Sequence, residues 1–200
     1  MEKKDIVPQQ ETGAQSNTEA VRTFEEAEAA TAFFSKLKER LLGVDDWHTL
    51  AGKATADFTL TDGRGEEVDR PVQEGDHFKI DIPGPGTTTG EGYDWVQVES
   101  IKEEQTEEGE TLAIQVRPAT NPLNDKPDVA HFFSEEATSC FMVKREGATI
   151  TAGVYGRNEK PNTGAEALLD KARNVAVATG AVTGFAKLQW KSLVEGLMKD

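Results

Sequence analysis

The run GPGTTTGEG, residues 84–92, has the glycine density of a phosphate cradle, and its surroundings decide against that chemistry. A P-loop needs a lysine and a Ser or Thr behind its last glycine, then a helix whose N-terminal amides face the phosphates. Here Gly90 is followed by Glu91, and the next apolar pattern, YDWVQV, alternates as a strand. A dinucleotide fingerprint fails too, because Gly84 and Gly86 are followed neither by the third glycine nor by a helix. Glu91 and Asp94 would repel phosphate besides. The run is expected to connect two antiparallel strands, with Pro83 and Pro85 ending the first. Its functional alternative is a flap over a binding cavity.

Other reactive residue types are sparse or scattered. His48, His77 and His131 have no second ligand three or four positions away, and HExxH and cysteine pairs are lacking, so neither zinc nor a cofactor is expected. There is no G-x-S-x-G, and spacing is silent on a triad assembled from distant residues. Carboxylates are too abundant for any pair to stand out as acid and base. Cys140 lies in the apolar run ATSCFMV and reads as a small buried hydrophobe rather than a reactive thiol.

Three places have the chemistry of contact rather than of catalysis. RPATNPLNDKPDVAHFFSEEATS, residues 117–139, is a long loop whose rings Phe132 and Phe133 need burial. It either plugs one end of a sheet or forms a lid on an apolar pocket. In YGRNEKPNTG, Arg157, Asn158 and Glu159 sit where the last strand hands over to a helix, satisfying a strand end or holding a ligand. Trp47 and Trp95 suit a core. Trp95 shares a strand face with Tyr93 and Gln97, opposite Val96 and Val98, so either both faces are covered or one lines a cavity. The candidate ligand-binding set is Trp95, Arg117, His131, Phe132 and Arg157: aromatics for contact area, arginines for an acidic headgroup.

The elements that must carry these residues follow from period. Residues 1–18 are polar, without a repeat, and are expected to be a disordered tail ahead of one domain, 19–200. Phe24, Ala27, Ala30, Phe34, Leu37 and Leu41 mark a helix from about Thr18 to Leu42, with Thr23 and Glu26 at capping-box spacing and Gly43 placed to end it. From Ala54 to Gly156 the period is two. ATADFTLTDG, HFKIDI, YDWVQVESI, TLAIQV, TSCFMVKR and ATITAGVYG make six or seven strands of an antiparallel meander. The acidic stretch KEEQTEEGE separates the fourth from the third, and Glu146-Gly147-Ala148 turns the last hairpin. Thr163 and Glu166 have capping spacing for a final helix that keeps its rhythm to Leu197. At 1.5 Å per residue such a helix would be about 50 Å long, against roughly 35–40 Å for the domain. A bend at Gly180 and Gly184 is expected. The fold class is α+β: a curved antiparallel sheet with an N-terminal helix and a long, bent C-terminal helix packed on it.

The totals agree with one soluble domain of 200 residues. Aspartate and glutamate outnumber lysine and arginine 36 to 22, a net charge of −14, which disfavours nucleic acid and anionic lipid as partners. The beginning of the chain lacks the apolar core of a signal peptide. The longest uncharged stretch, Asn174 to Ala186, is too short to span a bilayer. A cytoplasmic location is expected.

A first helix, a meander that closes with ATSCFMVKREGATITAGVYG, and a glycine-interrupted helix from Thr163: this order resembles the START-like, or helix-grip, superfamily over residues 20–198. The resemblance implies a sheet wrapped around the last helix, enclosing an apolar ligand cavity. One departure stands: members carry a strand before their first helices, and the polar tail has no apolar alternation for one. The leading expectation is an apolar or lipid-like small-molecule binding domain, its cavity between sheet and C-terminal helix, with 84–92 and 127–134 near the mouth. A rival is a cyclase- or hydrolase-type enzyme using His131 with Glu159. Another is an SH3-like module presenting Trp95 and Tyr93 to peptides.

Overall fold

The computed structural model describes residues 6–52, 56–82, 87–163, 174–175 and 185–200. Seven strands, β1 (Ala14–Thr23), β2 (Asp57–Thr61), β3 (His77–Asp81), β4 (Asp94–Gln105), β5 (Gly109–Pro118), β6 (Thr138–Glu146) and β7 (Thr149–Glu159), form one antiparallel sheet. Their order is β1-β7-β6-β5-β4-β3-β2, so β2 to β7 are a plain meander and β1 closes the far edge. Irregularities between Ala14 and Ser16 and between Val98 and Ser100 bend the strands, as bulges do. Among the described residues, α1 (Ala27–Leu42), α2 (Trp47–Ala51) and α3 (Phe185–Leu197) accompany the sheet. The fold is α+β, a curved antiparallel sheet with the N-terminal and C-terminal helices packed on one face.

Alternation assigns every strand residue to one of two faces. The inner face, under the helices, carries Phe58, Phe78, Val96, Ile114, Phe141 and Val154 among others, and α1 adds Ala30, Phe34, Leu37 and Leu41. Trp47 is the hub. It stands 1% exposed, with ring centroids 4.7 Å from Phe141, 5.4 Å from Phe58 and 5.6 Å from Phe78. The helix α3 buries Leu193, Val194 and Leu197 here. Its Gly196 lies against the Leu50 carbonyl where any side chain would collide, so α3 and the α2 region can approach closely only with glycine at that position.

The first strand corrects the sequence reading. Residues 14–18 were expected in a tail and 18–23 in a helix; both belong to β1, which pairs from Ala14↔Glu159 to Thr23↔Thr149. Its side chains alternate between half-buried and exposed over AQSNTEAVRT, an edge strand held by backbone bonds with little apolar surface. The strand that the family resemblance calls for is therefore present. Thr23 meets Thr149 across the ladder instead of capping a helix, and α1 starts after Glu26, whose side chain makes no cap bond. Gly43 ends α1, its amide bonded to the Glu39 carbonyl. Upstream of β1, Ile6 and Val7 are buried on the outer face against Ala113, Cys140, Met142 and Tyr155.

The acidic stretch 102–110 is strand on both sides of a short turn at 106–108, rather than a loop throughout. Glu103 pairs with Leu112 and Glu104 with Thr111, since ladder bonds need no apolar side chain. Gly147 (φ 56°) and Ala148 turn the last hairpin where it was expected. The capping pair at Thr163 and Glu166 and the bend at Gly180 and Gly184 lie outside the described residues. Among the described residues no helix is long and apolar enough to cross a membrane.

Candidate functional site

The five ligand-binding candidates do not converge on the inner face. Trp95 points away from Val96 and Val98, and on that outer face it is 1% exposed. Two loops cover it. Its Nε1 donates to the Gly90 carbonyl (3.4 Å), its amide to the Ala130 carbonyl (2.7 Å), and its own carbonyl accepts from Ala119 (2.9 Å). His77 meets its ring edge-on at 6.5 Å, and burial lowers the His77 pKa below the usual 6.5. Both faces of β4 are thus covered at Trp95, and the ring that the SH3-like reading would present to peptides is buried. Residues 83–86 lie outside the described residues, and the remainder of the glycine run closes on itself: Thr87 Oγ1 donates to the Tyr93 carbonyl (2.6 Å) and accepts from the Gly90 amide (2.9 Å), and strand β4 follows.

Arg117 and Arg157 are also on the outer face, the first paired to Glu99 and to the Glu135 carbonyl (2.8 Å). Arg157 donates to the carbonyls of Ser16 (3.1 Å) and Gly156 (2.7 Å), tying β1 to β7. Alternation therefore takes Trp95, Arg117 and Arg157 out of any space between sheet and helices, which corrects their assignment to that cavity. His131 and Phe132 form a plug. Their rings stack at 4.3 Å, and His131 Nδ1 accepts from the Phe133 amide (2.9 Å). The loop is tied to 160–162: Ser134 donates to the Lys160 carbonyl, and the Asn162 side chain donates to the carbonyls of Val129 and His131. Beside it lies an open cleft of about 450 Å³ bounded by 127–129, 134–136 and 160–163.

The inner face divides into an end packed with rings and an end lined by small side chains. Thr18, Val154, Phe141, Ile114 and Ile101 form one row across five strands, and the rings of Trp47 and Trp190 close over Phe141. The next row toward 159–163 is Ser16, Gly156, Ser139, Val116 and Val98. Three adjacent strands there contribute only Ser, Gly and Ser. Ser139 faces inward from a central strand yet is only half-buried, and Ser16 and Thr18 likewise keep partial exposure. Inward positions on central strands are ordinarily closed off by packing.

Glu159 reaches over this row. Asn158 adopts a left-handed backbone (φ 56°), which breaks the alternation and folds the Glu159 carboxyl back above Gly156. A Cβ at position 156 would occupy the place of Glu159 Oε1 and Ser16 Oγ. Ser16 Oγ donates to Oε1 at 2.9 Å. Burial raises the Glu159 pKa above the ordinary 4.5, opposed by the Ser16 bond and the Arg157 charge. Asn158 is itself clamped: its Oδ1 accepts from the Glu11 and Thr12 amides (2.8 and 3.1 Å), and its amide donates to Gln10 Oε1 (2.9 Å). Sequence reading singled out Glu159, but it missed Ser16, Ser139 and Gly156. Their only signal was small residues at inward positions, visible once β1 is recognised.

No protein-family model matches the chain, and no curated protein matches it. Solved structures do. A hypothetical protein of Helicobacter pylori, jhp0584, superposes with a TM-score of 0.51 at 13% identity, over 97% of this chain and 90% of that one. Protein Ms6760 from Mycobacterium smegmatis gives a TM-score of 0.40 at 11% identity over 92% of this chain and 90% of its own. Major latex-like protein 151 from Panax ginseng gives 0.39 at 11% identity over 85% and 96%. The first likeness is one of fold.

Proposed function

We propose that this chain binds an apolar small molecule at the Ser16–Gly156–Ser139 end of the inner face. The observation that carries the reading is the run of three small side chains on adjacent strands, with a central-strand serine left half-buried beside Val116 and Val154. A hollow floored by small residues and walled by valines suits an apolar body. The order strand, helices, six-strand meander and helix, expected of the helix-grip family, supports the same reading. His131 and Phe132, tied to 160–162 just beyond Glu159, stand at its mouth. The enzymatic rival has less support, since His131 Nδ1 is engaged by its own loop and Glu159 by Ser16.

The test is a titration with the fluorescent apolar probe N-phenyl-1-naphthylamine. Wild type is expected to bind it saturably, and Ser139→Trp, which fills the hollow, to bind it at least about tenfold more weakly. A control, Gln97→Trp on the exposed outer face, is expected to bind as wild type does. Equal probe binding by Ser139→Trp and wild type would refute the location.

A further inference from the structure

We infer that the ligand carries an amino or other N–H group which Glu159 receives; this rests on the hollow proposed above. Glu159 is 9% exposed and lies on the inner face through two deliberate departures from regular strand geometry, the glycine at 156 and the left-handed Asn158. One carboxyl oxygen accepts from Ser16. Among the described residues the other oxygen has no partner and no cation forms an ion pair with Glu159. The adjacent cation, Arg157, is turned to the outer face and spends its guanidinium on two backbone carbonyls. A buried carboxylate is costly unless its oxygens are paired; the Arg157 charge reaches this one only through space, and among the described residues one oxygen stays unengaged at the edge of the small-residue floor.

The chemistry that completes it is a donor, best a cationic one. A protonated amine would place its N–H on the free oxygen, while the apolar remainder of the molecule lies over Gly156 and Ser139 toward Val116 and Val154. The ligand class is then an amphipathic amine, in contrast to the acidic headgroup that Arg117 and Arg157 suggested in the sequence.

Displacement of N-phenyl-1-naphthylamine by octylamine, 1-octanol and octanoate at neutral pH tests this, with wild type and Glu159→Gln compared. In wild type, octylamine is expected to compete about tenfold or more better than octanol, and octanoate worse than both. In Glu159→Gln the amine advantage is expected to vanish while octanol affinity stays within about twofold. Equal competition by amine and alcohol in wild type, or an amine advantage that survives in the variant, overturns the anchor and leaves the apolar hollow standing. Failure of the probe to bind wild type at all overturns both. The wild-type ratio stands as a test even if the variant does not fold.

Discussion

A methyl group at position 156 would stand where Ser16 Oγ meets the Glu159 carboxyl. Gly156→Ala is therefore expected to expel that carboxyl and destabilise the fold by about 1–3 kcal/mol. Adding Glu159→Ala should recover much of the loss, and a double-mutant cycle by denaturant unfolding measures the coupling. Strict additivity would mean that the two do not touch. Glu159 also sets a pH signature. Its folded pKa is raised by burial, so the folded state holds the proton more tightly than the unfolded chain. The stability this confers is fully present below the ordinary 4.5 and is lost as pH rises through the raised folded value. Glu159→Gln, which cannot ionise, is expected to melt above wild type at pH 7 and to converge with it at pH 4. A Tm difference flat across that range would refute the shift. Cys140 behaves as its apolar neighbours suggested: it is buried, and burial pushes its thiol up to about 12. Alone among these features it was legible directly, because a run such as ATSCFMV carries its own burial signal. Glu159 was not, since its direction depends on one left-handed residue that no pattern announces.

At the scale of elements, the segment ahead of β1 is a strap. Ile6 and Val7 seal Ala113, Cys140, Met142 and Tyr155 on the outer face, while Gln10, Glu11 and Thr12 grip Asn158 beyond them. Burying an aliphatic side chain contributes about 1.5–3 kcal/mol, so Ile6→Asp is expected to destabilise by about 2–4 kcal/mol once the buried charge is counted. The same variant should open a path to Cys140 and speed its alkylation by iodoacetamide under native conditions. An unchanged alkylation rate would show that the strap does not guard the thiol. The elements that sequence reading located, the body and end of α1 and the apolar parts of β2 to β7, have apolar residues at the period of their geometry: Ala30, Phe34, Leu37 and Leu41 on one, Phe58 and Leu60 or Phe78 and Ile80 on the others. β1 has no such stripe. Its inward residues are Ser16, Thr18 and Ala20, and what holds it is the ladder to β7, which leaves no mark in the side chains. For the same reason the acidic half of the β4–β5 hairpin read as a loop.

At the scale of the whole molecule, a net charge of −14 on 200 residues means self-repulsion in the compact state. Raising salt from about 20 to 300 mM, which shortens the Debye length several-fold, is expected to raise Tm by a few degrees, measured by calorimetry. A Tm that falls with salt would mean that favourable ion pairs outweigh the repulsion. An apolar ligand taken up by the proposed hollow should, at 100 times its Kd, stabilise the fold by about 2.7 kcal/mol, a thermal readout independent of fluorescence. The sequence by itself determined the class of the fold and the inward stripes of β2 and β3, because periodicity and bulk are local properties of the chain. Only the tertiary structure decided which faces were covered and by what. Trp95 is sealed by loops that approach from 87–93 and 119–130. The small-residue floor joins Ser16 to a carboxyl 143 positions away, a juxtaposition made by strand register. Register depends on how side-chain patterns and turns far apart in the chain match across neighbouring strands, and so it emerges only when the strands are laid side by side.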